Sequence, residues 1–172
     1  MEIEPIVDSR GFFSRIFCSK EFSDLSLNST WRQINSSFNS EKGTLRGLHM
    51  QIGKYSEVKL IKCIRGSIWD VFVDLRPTST TFSKWWGCEL NTHNRKMLYV
   101  PKGCAHGFIT LEENTEIIYF VSSDYYPLAE RSLIWNDCDI KINWPIKPVH
   151  ISEKDQKAFK FNDLKNKLNS NY

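Results

Sequence analysis

Between residues 58 and 77 the chain reads VKLIKCIRGSIWDVFVDLRP. Two runs rich in β-favouring residues flank Arg65-Gly66-Ser67, and the glycine marks a turn. In the second run Trp69, Val71, Val73 and Leu75 share one strand face, by the two-residue period of extended chain. Ile68, Asp70, Phe72 and Asp74 share the other. That second face is mixed, so Asp70 is either paired inside a polar cavity or turned to solvent. The rhythm continues in KWWGCEL (84–90) and KMLYVP (96–101), split by NTHNR. It returns in HGFITL (106–111) and EIIYFVSS (116–123), split by EENT. Strand and turn alternating in this way predict an all-β sandwich or barrel rather than βαβ units. Helix signals are confined to the ends. SKEFSDL, from Ser19, has the length of one or two turns, and SEKDQKAF has Ser152 as an N-cap with Asp155 three residues on.

A chain of 172 residues with six Trp can bury one sizeable core. The net charge of +3 is too mild to argue for nucleic acid or a membrane surface. Lys154, Lys157, Lys160, Lys165 and Lys167 form a C-terminal run that reads as a solvated helix face or a frayed tail. The five cysteines are odd in number and contain no C-x-x-C, which argues against a disulfide framework or a zinc site. MEIEPIVDSRG has acidic residues and no apolar h-region, so no signal peptide is expected. No run approaches the ~18 apolar residues of a membrane span. A reducing, cytoplasmic setting is the expectation.

The stretch TLRGLHMQ (44–51) places His49 beside Gly47 and Arg46 in a chain of strands. His49, Lys59, Asp70, His106, Tyr119 and Asp155 are ionisable groups set among apolar residues. A barrel interior could bring them together. Each also has a structural explanation: a core histidine bonded to a carbonyl, a tyrosine with its hydroxyl at the rim, a lysine snorkelling from an edge. A metal-binding barrel would offer histidines at i and i+2. Here Met50 and Gln51 follow His49, His106 stands alone and His93 lies in a loop, so the site is read as metal-free. No glycine-rich phosphate loop is present. Phosphate contacts must then come from Arg and Lys.

DSRGFFSR, QINSS, GTLRGLHMQ, VKLIKCIRGSIWDVFVDLRPTSTTFSKW, LYVPKGCAHGF, YYPLAERSLIWND and INWP occur in this order from about Asp8 to Asp155. In this the chain resembles the cupin-fold dTDP-4-dehydrorhamnose 3,5-epimerases. The resemblance implies a cupin jelly-roll barrel with short peripheral helices, as one domain over residues 1–172. Residues 1–40 would supply N-terminal strands and a dimer and substrate region, 41–145 the jelly-roll core, and 146–172 a C-terminal helical segment. It implies a homodimer, no metal or cofactor, and a nucleotide-linked 4-keto-6-deoxyhexose as substrate. By the same resemblance His49 is the base, Asp155 the carboxylate that holds its ring, Tyr119 the acid on the other sugar face, and Lys59 the group near the enolate oxygen. Asp70 and His106 would line the cavity, with His106 near the phosphates or sugar. Arg46 would bind pyrophosphate. Arg10, Gln33, Asn35, Glu130 and Lys154 match positions that contact the nucleotide sugar, and Tyr125 matches a pocket tyrosine, with Tyr126 one residue away. Arg15 stands where relatives usually carry an acid, and YSEVKL replaces a common glutamine-glycine pair before the lysine. Gly47 would leave space beside the His49 ring. Two other readings remain open: epimerisation at C3 alone, and a non-catalytic sugar-binding cupin.

Overall fold

A computed structural model describes residues 1–169. The chain opens with β1 (Ile6–Asp8), β2 (Gly11–Phe13), α1 (Ser19–Asp24), β3 (Gln33–Asn39), β4 (Thr44–Gln51), β5 (Lys59–Arg65) and β6 (Ser67–Asp74). There follow β7 (Trp85–Asn91), β8 (Met97–Val100), β9 (Cys104–Thr110), β10 (Thr115–Val121), β11 (Glu130–Ser132), β12 (His150–Ile151), α2 (Glu153–Gln156) and α3 (Phe161–Asn169).

The turn at Gly66, with φ +73°, does not close a hairpin. β5 lies in a four-stranded sheet ordered β3-β10-β5-β8, whereas β6 lies in a sheet ordered β11-β4-β9-β6-β7, with β12 added beside β4. From β3 to β11 successive strands pass from one sheet to the other, except β6 and β7, which pair directly. This is the jelly-roll connection, and it stacks two twisted sheets face to face.

The alternating pattern of β6 divides between two cores. Val71, Val73 and Leu75 face a cluster with Leu48, Met50, Leu133, Phe161, Leu164 and Leu168. Ile68 points between the sheets, against Ile61, Val100, Phe108 and Ile117. Phe161, Leu164 and Leu168 recur at helical spacing, so α3 lays one apolar stripe on the six-stranded sheet. The C-terminal lysine run therefore includes the solvated side of a docked helix, and the frayed-tail alternative is corrected. A third cluster joins Phe22 of α1 to Leu60, Met97 and Phe120, with Phe17 and Trp31 packed beside it. Cys63 and Cys104 are buried, and burial pushes their thiols up to about 11 and about 12. They behave as small hydrophobes.

Asp74 ends β6 and organises the following turn. Its carboxylate accepts from Arg76 Nη2 at 2.7 Å, Ser79 Oγ at 2.6 Å and Thr81 Oγ1 at 2.7 Å. Burial alone would raise its pKa, but these bonds outweigh it and hold the carboxyl well below the usual carboxylate range. Asp74→Ala should cost about 2–4 kcal/mol, because it removes a buried carboxylate that bonds Arg76, Ser79 and Thr81 at once. Chemical denaturation at neutral pH measures this. The parent's advantage should persist well into acid and disappear as pH falls through the depressed value.

Candidate active site

The period of two turns Lys59, Ile61 and Cys63 of β5 toward the space between the sheets, with Ile117 and Tyr119 of β10 and Cys104, His106 and Phe108 of β9. One end of this interior is apolar. The other is polar and open, forming a cavity of about 770 Å³ lined by Arg46, His49, Lys59, His106, Tyr119, Lys154 and Asp155. This is the size of a small-molecule site. A smaller cavity of about 290 Å³ shares His49, Lys59 and Tyr119 with it, and adds Gln33, Asn35, Glu57, Tyr125 and Glu130.

Strand β4 reaches the cavity through an irregularity. Arg46 pairs with Phe108 and His49 with His106, so one extra residue is inserted on β4. The bulge lets Arg46 and His49, three apart, both face the cavity, while Leu48 and Met50 enter the outer core. Gly47 sits in the bulge with φ +118°. A Cβ there would lie 2.5 Å from Gly107 Cα. The space that Gly47 frees is therefore taken by the neighbouring strand's backbone, which corrects the expectation of room beside the His49 ring.

His49 Nε2 lies 2.6 Å from Asp155 Oδ1. Asp155 reaches it from the first turn of α2, where Ser152 Oγ accepts the Asp155 N–H at 3.1 Å as an N-cap. Burial alone would raise the Asp155 pKa, but the bond to His49, with help from Ser152 and Gly47 N–H, lowers it below the ordinary value. With Asp155 ionised, the neutral ring carries its proton on Nε2 and its lone pair on Nδ1. A second dyad stands beside it on β9: His106 Nε2 lies 2.6 Å from Asp70 Oδ1. Asp70 is 0% exposed and lies behind the histidine. It does not line the cavity, which corrects that expectation; it orients the residue that does.

Lys59 Nζ donates to the His49 carbonyl at 3.0 Å. Burial raises the pKa of the Tyr119 phenol, against an opposing effect of Arg46, so the phenol is protonated at neutral pH. Arg46 Nε donates to Asn39 Oδ1 at 2.7 Å. Tyr125 Oη donates to Glu130 Oε2 at 2.9 Å, and Lys154 Nζ to Glu130 Oε1 at 2.6 Å. Burial would raise the Glu130 pKa, but these two partners lower it. Tyr126 instead stacks on Tyr55 at 4.3 Å and lines neither cavity. A base, a phenolic acid, an ammonium and an arginine around one cavity can move protons on an anionic substrate.

The family model of dTDP-4-dehydrorhamnose 3,5-epimerase matches residues 1–163. The chain belongs to this family. The dTDP-4-dehydrorhamnose 3,5-epimerase of Shigella flexneri is 40% identical over 163 residues, covering 93% of this chain and 90% of its own length. The crystal structure of the enzyme from Elizabethkingia anophelis superposes with a TM-score of 0.90 at 42% identity, over 94% of this chain and 90% of that one. The Legionella pneumophila dTDP-6-deoxy-D-glucose-3,5-epimerase, in complex with dTDP-4-keto-L-rhamnose, gives a TM-score of 0.90 at 36% identity, over 97% of this chain and 89% of that one. Membership in the epimerase family makes the chain an isomerase.

Arg10, which matches the epimerase pattern, and Arg15, which stands where relatives usually carry an acid, lie elsewhere. Arg10 pairs with Asp8 at 2.6 Å and Arg15 with Glu21 at 2.7 Å, both at the surface, and neither lines a cavity of its own chain. Among the described residues, the side chains close enough to share a metal are Asp137, Cys138 and Asp139. That group lies outside the cavities, and Asp137 accepts the N–H groups of Asp139, Ile140 and Phe161. Sequence reading missed Ser37 and Ile117 on the cavity wall, although the strand period that carries Asn35 and Tyr119 also carries them. It also missed Glu57.

Asp155→Asn keeps the shape of the dyad and removes its charge. The parent should be more stable than the variant above the ordinary carboxyl value of 3.8, and this difference should vanish as pH falls through the lowered folded value. Denaturant midpoints of both proteins at neutral and strongly acidic pH provide the comparison.

Proposed function

We propose that the chain inverts C3 and C5 of a dTDP-linked 4-keto-6-deoxyhexose, converting dTDP-4-dehydro-6-deoxyglucose to dTDP-4-dehydrorhamnose. The observation that carries this reading is the convergence of the His49–Asp155 dyad, Lys59 and the Tyr119 phenol on one cavity. The C4 ketone acidifies the hydrogens on C3 and C5. His49 Nδ1 takes one of them, and ionised Asp155 stabilises the imidazolium. Negative charge moves to the C4 oxygen, where Lys59 offers an N–H. The Tyr119 phenol then returns a proton from the opposite face, and exchange with water resets both groups. Arg46 binds the pyrophosphate, with His106 beside it. Gln33, Asn35, Tyr125, Glu130 and Lys154 surround the remainder of the nucleotide sugar.

A second copy of the chain completes this proposal. The β1–β2 hairpin pairs only with itself among the described residues and exposes Ile6, Val7, Phe12 and Phe13. Ile34 and Phe38 are exposed on β3, an edge strand of the four-stranded sheet. In a homodimer these apolar surfaces would cover one another, and Arg10 and Arg15 would reach the partner's cavity. Free cysteines fit a reducing, cytoplasmic setting.

The decisive experiment is incubation with the dTDP-4-keto sugar in deuterated water. Deuterium at both C3 and C5 is expected; label at C3 alone would reduce the activity to C3 epimerisation. Binding without label would leave a sugar-binding cupin. His49→Ala should abolish exchange, a loss of about 10²–10⁴-fold for a general base. Tyr119→Phe should retain exchange but form little inverted product. In sedimentation the parent should run as a dimer, and Phe13→Asp should shift it toward monomer. Arg10→Ala should raise KM while leaving the dimer intact.

A further inference from the structure

Lys59 is held by a second group that none of the roles above includes. Its ammonium donates to the His49 carbonyl at 3.0 Å and lies 3.2 Å from Glu57 Oε1. The Glu57 side chain is 5% exposed and borders the smaller cavity beside His49 and Tyr119. It stands two residues before Lys59, on the approach to β5. The other oxygen, Oε2, is buried and has no hydrogen-bond partner among the described residues. A carboxylate taken out of water with half its bonding capacity unused costs folding free energy. Among the described residues, the charge that pairs with it is the Lys59 ammonium.

An ammonium has three N–H donors on a flexible four-carbon stem. The His49 carbonyl takes one, and attraction to Glu57 fixes the head group from a second direction. At least one donor is left for the cavity. Without Glu57 the ammonium would keep a single tether and could rotate about it. We propose that Glu57 is a positioning residue, which fixes the Lys59 ammonium so that its remaining N–H meets the sugar oxygen where charge develops. The inference rests on the epimerase reading for its catalytic consequence. Its geometric part concerns this chain's own side chains.

The test compares Glu57→Leu and Glu57→Gln, alone and in a Lys59→Met background. Two quantities are read: kcat and KM for deuterium exchange at C3, and the nitrogen resonance of the Lys59 ammonium. Glu57→Leu should lower kcat about tenfold or more, as expected for a misplaced electrostatic group, with KM nearly unchanged. Glu57→Gln keeps an acceptor for the ammonium and should recover most of the rate. In the Lys59→Met background, Glu57→Leu should cause no further loss, because the residue it acts through is gone. A slowly exchanging Lys59 ammonium signal should be seen in the parent and lost in Glu57→Leu. Normal kcat in Glu57→Leu, equal losses in both backgrounds, or an ammonium signal absent from the parent or indifferent to Glu57 would each overturn the proposal. A parent protein that exchanges no deuterium would defeat the epimerase reading instead, and the ammonium signal would still decide whether Glu57 holds Lys59.

Discussion

The contact between His49 and Asp155, at 2.6 Å, ties together residues 106 apart in the chain. Everything at the polar end of the sandwich is arranged around it. Asp155 can reach the ring only because Ser152 caps α2 and β12 runs parallel to β4, bringing the C-terminal segment to the cavity. The histidine can meet it only because the bulge at Gly47 shifts β4 by one residue. The same carboxylate accepts the Gly47 N–H at 3.4 Å, so the bulge and the dyad support one another.

Burying ionisable groups is costly, and the interior handles this by pairing. Asp155 has His49, Asp70 has His106, and Glu57 has Lys59. In each pair the acid is the more buried member, and it supplies charge or orientation to a base that meets the cavity. Each acid thereby keeps its basic partner available in a defined direction. The apolar half of the same interior, around Ile61, Ile68, Phe108 and Ile117, excludes water behind these pairs and strengthens their electrostatics.

Much of the strand content could be read from the order of residues. The alternation in 58–77, 84–101 and 106–123 located β5 to β10 within a residue or two, because a period of two is a local property. The Ser152 cap was legible for the same reason. Glycine at position 66 marked a turn correctly but gave no indication that the turn crosses between sheets. Chain direction after a turn depends on which partner strand is available, and the partners of β5 lie about 40 and 60 residues later. The docking of α3 was not seen, since its apolar stripe is short and lies among lysines.

The chemical inventory was also in the sequence: two histidines, a lysine, a tyrosine and two acids among apolar residues, with ordered motifs that resemble one family. The residues that face the cavity followed the strand period wherever that period was unbroken, as at Lys59, His106 and Tyr119. Only the tertiary structure decided the rest. It set Asp70 behind His106, chose Tyr125 over Tyr126, left Arg10 and Arg15 at the surface, and brought Glu57 to the lysine. The physical reason is that periodicity fixes which face of a strand a side chain leaves from. What it then touches depends on the opposing sheet, on a one-residue bulge and on segments far along the chain, none of which has a local signature.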